Sequence, residues 1–180
     1  GPVSIAGLTF KSAKETINQI IDNQLIGTTA TLTLGNLRSV NIFVLGEASK
    51  PGMYTISALS TLTNAVFTNG GVKSTGSLRN IQLKRNGAII SDFDFYDLLL
   101  KGDTSNDLRL MSGDVVFIPP TQNLVGIAGE VKRPGIYELK DNENAEELIS
   151  YAGGLSAKAD LSSIEIERID TSANSISLVN

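Results

Sequence analysis

The 180-residue chain has no cysteine, no histidine and no tryptophan. Without cysteine there is no disulfide, no thiolate nucleophile and no thiolate metal site. Without histidine the commonest general base and the usual catalytic triads are excluded. Carboxylates remain for acid–base chemistry or for holding a hard cation. Aromatics are scarce at 6%, and the missing tryptophan removes the largest stacking surface. No apolar run approaches the roughly 18 residues of a membrane-spanning helix, and no leader peptide is visible. The net charge of −4 includes no basic stripe of the kind nucleic acid demands. Residues 124–180 carry 10 acidic against 5 basic side chains, so a polyanion finds little general attraction there.

With 41% hydrophobic and 19% charged residues the composition is that of a globular protein. The length accommodates one large domain or two to three small ones of about 50–100 residues. The chain opens Gly1-Pro2 without methionine. This reads as the scar of a removed tag, so a piece of a longer protein is expected.

A repeat organises the rest. Laid without a gap onto residues 125–168, residues 42–85 give 10 identities in 44 positions. Gly46, Glu47, Pro51, Gly52, Tyr54, Gly70, Gly71, Leu78, Ile81 and Arg85 fall on Gly129, Glu130, Pro134, Gly135, Tyr137, Gly153, Gly154, Leu161, Ile164 and Arg168. Two separated turns and a helix stop do not align this way by chance. The repeated element is a structural unit.

Each unit reads as a hairpin followed by a helix. Residues 41–45 are short, β-branched and aromatic, a strand. Lys50-Pro51-Gly52-Met53 suits a type II turn, with Pro51 setting φ and Gly52 supplying a positive φ, and residues 54–56 return. In the second unit Asn144 caps a helix and Glu147 completes a capping box. Ala145, Leu148, Ile149 and Ala152 form its inner face and Gly153 stops it. In the first unit Thr61 takes the cap, Leu62, Ala65 and Val66 face inward, and Gly70 is the stop. These paired glycines follow a helix, whereas phosphate-cradling glycines precede one. Residues 81–84 and 88–90 are strands around an Asn86-Gly87 turn. Asp94 then caps a short helix that ends at Gly102. Val115-Val116-Phe117-Ile118 is a buried strand closed by Pro119-Pro120. This order of elements is that of a β-grasp: a mixed sheet curling over one helix. Ahead of it, Leu8-Thr9 leads into a helix with Ala13, Ile17, Ile20 and Ile21 at helical spacing, and residues 29–34 alternate as a strand. Ser12 and Glu15 offer an alternative cap if that helix starts later.

These residues resemble a known family. Val44-Leu45-Gly46-Glu47, Pro51-Gly52-x-Tyr54, a helix ending Gly70-Gly71, Leu78-Arg79-x-Ile81 and Gly113-Asp114-Val115-Val116-Phe117-Ile118-Pro119 are similar to the SLBB module, the soluble ligand-binding β-grasp. Ile5-Ala6-Gly7-Leu8-Thr9 with its helix and strand resembles the tail of the polysaccharide-export domain. Together they resemble the outer-membrane polysaccharide export proteins. The resemblance implies an α+β fold: tandem β-grasp modules at 41–121 and 122–180, preceded at 1–40 by part of an export-domain α/β element. It implies a parent at the periplasmic face of the outer membrane of a Gram-negative bacterium, passing capsular or extracellular polysaccharide to the surface. Partners would be the polysaccharide, inner-membrane export or copolymerase components and further copies of the protein, since members can form rings. No cofactor is implied. Against the full family pattern, the front of the export domain, a lipid-anchored cysteine and a C-terminal amphipathic segment are missing. The short helix and last strand of the first unit have no counterpart after residue 180, where the chain was cut, the module is shorter, or another segment completes the sheet edge.

Glu47 and Glu130 could serve as paired carboxylates of a hydrolase, but such a pair converges in one cleft, whereas these occur once per module. A structural role beside the hairpin is favoured. Asp92, Asp94 and Asp97 lack the rest of a calcium loop and fit helix capping. Tyr54 and Tyr137 could stack on sugar rings, and Lys132 and Arg133 could meet an acidic polymer. They are the candidate binding residues. Packing for the tyrosines and solvation for the basic pair are the plainer readings.

Overall fold

The computed structural model describes residues 2–24, 30–33, 35, 38–160, 165–170 and 175–179, with the last two segments described by their backbone. It divides into two compact units, Gly1–Leu37 and Arg38–Asn180.

In the first unit α1 runs Phe10–Gln24. Thr9 caps it, its hydroxyl accepting from the Ser12 amide at 3.2 Å, so the helix starts three residues ahead of the Ser12 alternative. Ala13 is buried and Ile17, Ile20 and Ile21 are half-buried, as their spacing requires. Of the strand expected at 29–34, positions 29 and 34 lie outside the described residues. Residues 30–33 are not in a strand. The alternating pattern supplies a face, but a strand also needs a ladder partner, and none is paired with it among the described residues.

The second unit begins with a five-stranded sheet built from β1 Ser39–Gly46, β2 Gly52–Ser57, β3 Ile81–Arg85, β4 Ala88–Phe93 and β5 Val115–Ile118. The strand order is β2-β1-β5-β3-β4. β1 and β5 are parallel and the other pairs antiparallel. This is the β-grasp topology: the first and last strands lie side by side at the centre and two hairpins flank them. Alternation places Ile42, Val44, Ile81, Leu83, Val116 and Ile118 on one face, all fully buried. Helix α2, Leu62–Thr68, lays Leu62, Ala65 and Val66 into the same core. Asn86 and Gly87, at φ 51° and 81°, make the tight turn between β3 and β4.

Asp114 explains the strand-entry motif. It is fully buried, accepts the Met111 amide at 2.7 Å and receives Arg85 through two bonds of 2.8 and 2.9 Å. Asp94 accepts the Tyr96 amide at 2.8 Å and so caps the short helical segment before Gly102, whose residues Asp97–Lys101 form a π-helical turn.

The second module repeats the plan with β6 Leu124–Ile127, β7 Gly135–Glu138, α3 Ala145–Tyr151, β8 Ile166–Asp170 and β9 Ser175–Val179. Asn144 accepts the Glu146 amide and Glu147 accepts the Asn144 amide, the expected capping box. β6–β7 and β8–β9 are separate two-stranded sheets. In the first module it is β5 that joins the two hairpins, and no counterpart is present among the described residues. The repeat positions Leu161 and Ile164 lie outside them.

One expectation is corrected. Gly52 and Gly135 do not adopt positive φ. Each begins a strand, paired with Val44 and Ile127 respectively. The left-handed residues of the hairpin loops are Gly46 and Gly129, at 80° and 88°, because the loop reverses ahead of the proline, not on it.

Candidate functional site at the module junction

The doubled motif is a clasp between the first hairpin's loop and the loop after the helix. In the first module the Ser49 amide donates to the Gly71 carbonyl and the Lys73 amide to the Glu47 carbonyl, both at 2.9 Å. In the second, Lys132 donates to Gly154 at 3.0 Å and Ser156 to Glu130 at 2.9 Å. The bonds match position for position. Gly70, Gly71, Gly153 and Gly154 all have positive φ there, which lets the chain turn back from the helix onto the hairpin. Glu47 accepts the Thr75 hydroxyl at 2.6 Å and lies 3.8 Å from Lys73. Glu130 accepts the Ser156 hydroxyl. The two glutamates thus brace separate clasps, one per module.

The tyrosines do similar work. The Tyr54 hydroxyl donates to the Lys50 carbonyl and that of Tyr137 to the Arg133 carbonyl, at 2.5 and 2.8 Å, holding each turn against its returning strand. Arg133 reaches the Tyr151 carbonyl at 3.0 Å, and Lys132 is exposed. The four candidate binding residues are therefore divided between two hairpins: Tyr54 in the first, Lys132, Arg133 and Tyr137 in the second.

The most elaborate polar arrangement lies between the modules and centres on Arg79, whose side chain is 5% exposed. Nε donates to both oxygens of Asp94 at 3.0 Å. Nη1 donates to the Glu138 carbonyl and to Glu143 Oε2, both at 2.9 Å. Nη2 donates to Glu143 Oε1 at 2.7 Å and to the Tyr151 hydroxyl at 3.4 Å. All five guanidinium N–H groups are used. Tyr96 and Tyr151 lie 4.4 and 5.0 Å from the guanidinium carbon, close enough for cation–π attraction. Lys140 completes the group with a 2.7 Å contact to Asp94.

The backbones join in. Glu138 accepts the Leu78 amide at 2.8 Å, and the Glu138 amide donates to the Tyr96 hydroxyl at 2.9 Å. Burial pushes the Glu143 carboxyl up. Hydrogen bonds from Arg79, Tyr151 and the Lys140 amide outweigh it and hold the group down at about 2. Burial works against the Arg79 cation, yet Glu143 and Asp94 raise its pKa above the ordinary value. Burial raises both Tyr96 and Tyr151, so both hydroxyls stay protonated at neutral pH; that of Tyr151 donates to Glu143 at 2.6 Å, while that of Tyr96 accepts the Glu138 amide. Glu143 and Arg79 are therefore a charged pair at neutral pH.

Beside this junction lies an open cleft of about 340 Å³, lined by Asn80, Asp92, Pro119, Gln122, Lys140 and Asp141 among others. None of the four candidate binding residues lines it. Asp92, Asp94 and Asp97 do not converge on one point: Asp94 serves Arg79 and Lys140, while Asp97 pairs with Lys101 at 2.7 Å.

Sequence reading marked Arg79 only as part of a motif and missed its partners. The signal was present where the repeat fails. Glu138, Lys140, Glu143 and Tyr151 stand where the first module has Thr55, Ser57, Ser60 and Thr68. The second module departs from the first at the positions that grip it.

Fold and junction define a tandem β-grasp segment whose two modules are joined through Arg79. Residues 40–118 and residues 124–178 each match a model of the SLBB domain, and the chain belongs to that family. It is 25% identical over 155 residues to the polysialic acid transport protein KpsD of Escherichia coli, covering 84% of this chain and 28% of that protein. It is 28% identical over 162 residues to the EPS I polysaccharide export outer membrane protein EpsA of Ralstonia solanacearum, covering 87% of this chain and 42% of that protein. The chain thus spans less than half the length of these relatives. The resemblance to SLBB-bearing polysaccharide export proteins is borne out. Among the described residues no helix is long and apolar enough to cross a membrane.

Proposed function

We propose that this chain is a non-catalytic structural and interaction segment of a polysaccharide export protein, working at the periplasmic face of the outer membrane. The SLBB pair acts as a spacer of fixed geometry, positioning the export channel's parts along the path of the polymer. Copies of the protein, inner-membrane export components and the polysaccharide itself are its partners. The names of the relatives support the process. The Arg79 junction supports the mechanism, because a flexible tether between modules would not need a buried guanidinium with all five donors placed. Glu143, held down at about 2 and paired with Arg79, is a poor general acid at neutral pH, which supports a non-catalytic role for it.

The test is made in cells that depend on the full-length parent for surface polysaccharide. Arg79→Ala is compared with wild type at matched protein level in the outer membrane. Surface polymer should fall at least several-fold. Unchanged export, with the modules shown by proteolysis to have come apart, would sink the spacer reading.

A second reading, a dedicated glycan-binding module, draws on the cleft beside the junction, because ligand sites favour the boundaries between domains. Titration of the purified chain with oligosaccharides of the exported polymer, followed by amide chemical shifts, tests it. Shifts confined to Asn80, Gln122 and Asp141 would favour this reading, and unperturbed spectra at millimolar sugar would end it.

A further inference from the structure

β2 and β4 stand at the two ends of the five-stranded sheet and pair with nothing further among the described residues. A free edge is a template for another strand, and monomeric proteins blunt it with lysine, proline or inward charge. β2 reads Gly-Met-Tyr-Thr-Ile-Ser and holds no charge. β4 reads Ala-Ile-Ile-Ser-Asp-Phe and holds one, Asp92. Met53, Ile89 and Ile90 are 64%, 52% and 45% exposed on these edges. Among the described residues the blunting devices are Asp92 and a register shift between Leu83 and Lys84, which bends β4 but leaves both isoleucines in solvent.

We infer that β4 of one copy pairs with β2 of the next, extending the sheet from molecule to molecule. Strand direction permits this occupant, and charge favours it over β4 against β4, which is antiparallel as well. Strand β4 runs parallel to β1 and β2 runs against it. Copies set side by side in the same orientation therefore bring β4 and β2 together antiparallel, the more stable pairing. The antiparallel arrangement puts Lys50, exposed and just ahead of β2, at the Asp92 end of β4, so the one charge on β4 meets an opposite one. The contact is head-to-tail, and such contacts generate rings or filaments rather than closed dimers. The inference deepens the self-association in the reading above by naming its surface, and it involves no polymer.

The absence of native cysteine makes a clean experiment. Thr55→Cys and Ile90→Cys are introduced together in the purified 180-residue chain and treated with a short thiol cross-linker. The two positions lie four strand spacings apart, roughly 19 Å, so a short linker cannot join them within one molecule. The expected product is a ladder of dimers, trimers and larger species from the double variant, while each single variant stays at its monomer band. A dimer formed as efficiently by Ile90→Cys alone would replace head-to-tail pairing with β4 against β4. No cross-linked product from either variant would also overturn the inference. In a second measurement Ile90→Lys, with circular dichroism confirming the fold, should weaken self-association in sedimentation on the order of tenfold. Unchanged association in that variant would count equally against edge pairing. Failure of either result leaves the export reading to its own assay in cells.

Discussion

At the residue scale the two modules run a controlled comparison on one glycine. Gly46 and Gly129 share the left-handed conformation. A Cβ on Gly46 would sit 2.1 Å from the Ile118 carbonyl oxygen, whereas around Gly129 no atom of the described residues lies within 4 Å. The difference is the presence of β5 in the first module. Gly129→Ala should therefore cost only the conformational term, about 1 kcal/mol. Gly46→Ala must also push β5 away from β1 and should cost about 3 kcal/mol or more. Urea unfolding of the two variants checks the ranking, and equal losses would mean that a strand crowds Gly129 as β5 crowds Gly46. Asn69 offers a second residue-scale test. It is 1% exposed, and neither its amide nitrogen nor its oxygen has a hydrogen-bond partner among the described residues. The matching position of the second module is the buried Ala152. An unsatisfied buried amide costs about 1–3 kcal/mol, so Asn69→Ala should leave thermal stability unchanged or raise it. A clear drop in melting temperature would mean that an ordered water completes the amide.

At the scale of elements, α3 depends on its cap. Asn144→Ala removes the acceptor for the Glu146 amide and should cost about 1 kcal/mol, read as faster amide exchange across Ala145–Tyr151. The same helix shows what sequence could reveal. Its cap, inner face and glycine stop are local patterns and were legible, as were the β-grasp order of elements and the Asn86-Gly87 turn. The alternation at 29–34 misled, since residues 30–33 are not in a strand: alternation is local whereas pairing is not. The hairpin turn was misassigned for a related reason. Pro51-Gly52 carries a type II signature, yet the ladder extends to Gly52 opposite Val44 and shifts the positive φ back to Gly46. The junction was hidden, since Arg79 and Glu143 lie 64 positions apart and nothing in either neighbourhood announces the other. Only the lapse of the repeat at Thr55, Ser57, Ser60 and Thr68 pointed to it.

At the scale of the whole molecule, stability and module geometry are tied together through one arginine. Arg79→Ala would leave Glu143 without its cation and Asp94 with Lys140 alone, their side chains 11% and 9% exposed. Removing one partner of a buried ionic group costs about 3–5 kcal/mol. Here the modules can relieve it by separating, so the variant should unfold in two resolved calorimetric transitions, further apart than in wild type. Arg79→Lys retains the charge but not the fork and should fall between. Acid should reproduce the effect in the unmodified chain. Glu143 has an ordinary value of 4.5 and a folded value of about 2. Its folded pKa is depressed, so its contribution is fully present above about pH 4.5 and is lost as pH falls towards 2. A shift of that size corresponds to about 3 kcal/mol. Between pH 5 and pH 2.5 the wild-type transition should broaden and split toward the Arg79→Ala pattern. Glu143→Gln, which has no carboxyl to titrate there, should start less stable and show a smaller change over the same interval. If wild type and Glu143→Gln lose stability in parallel, the junction is not what acid opens, and the coupling of the two modules must reside in the linker instead.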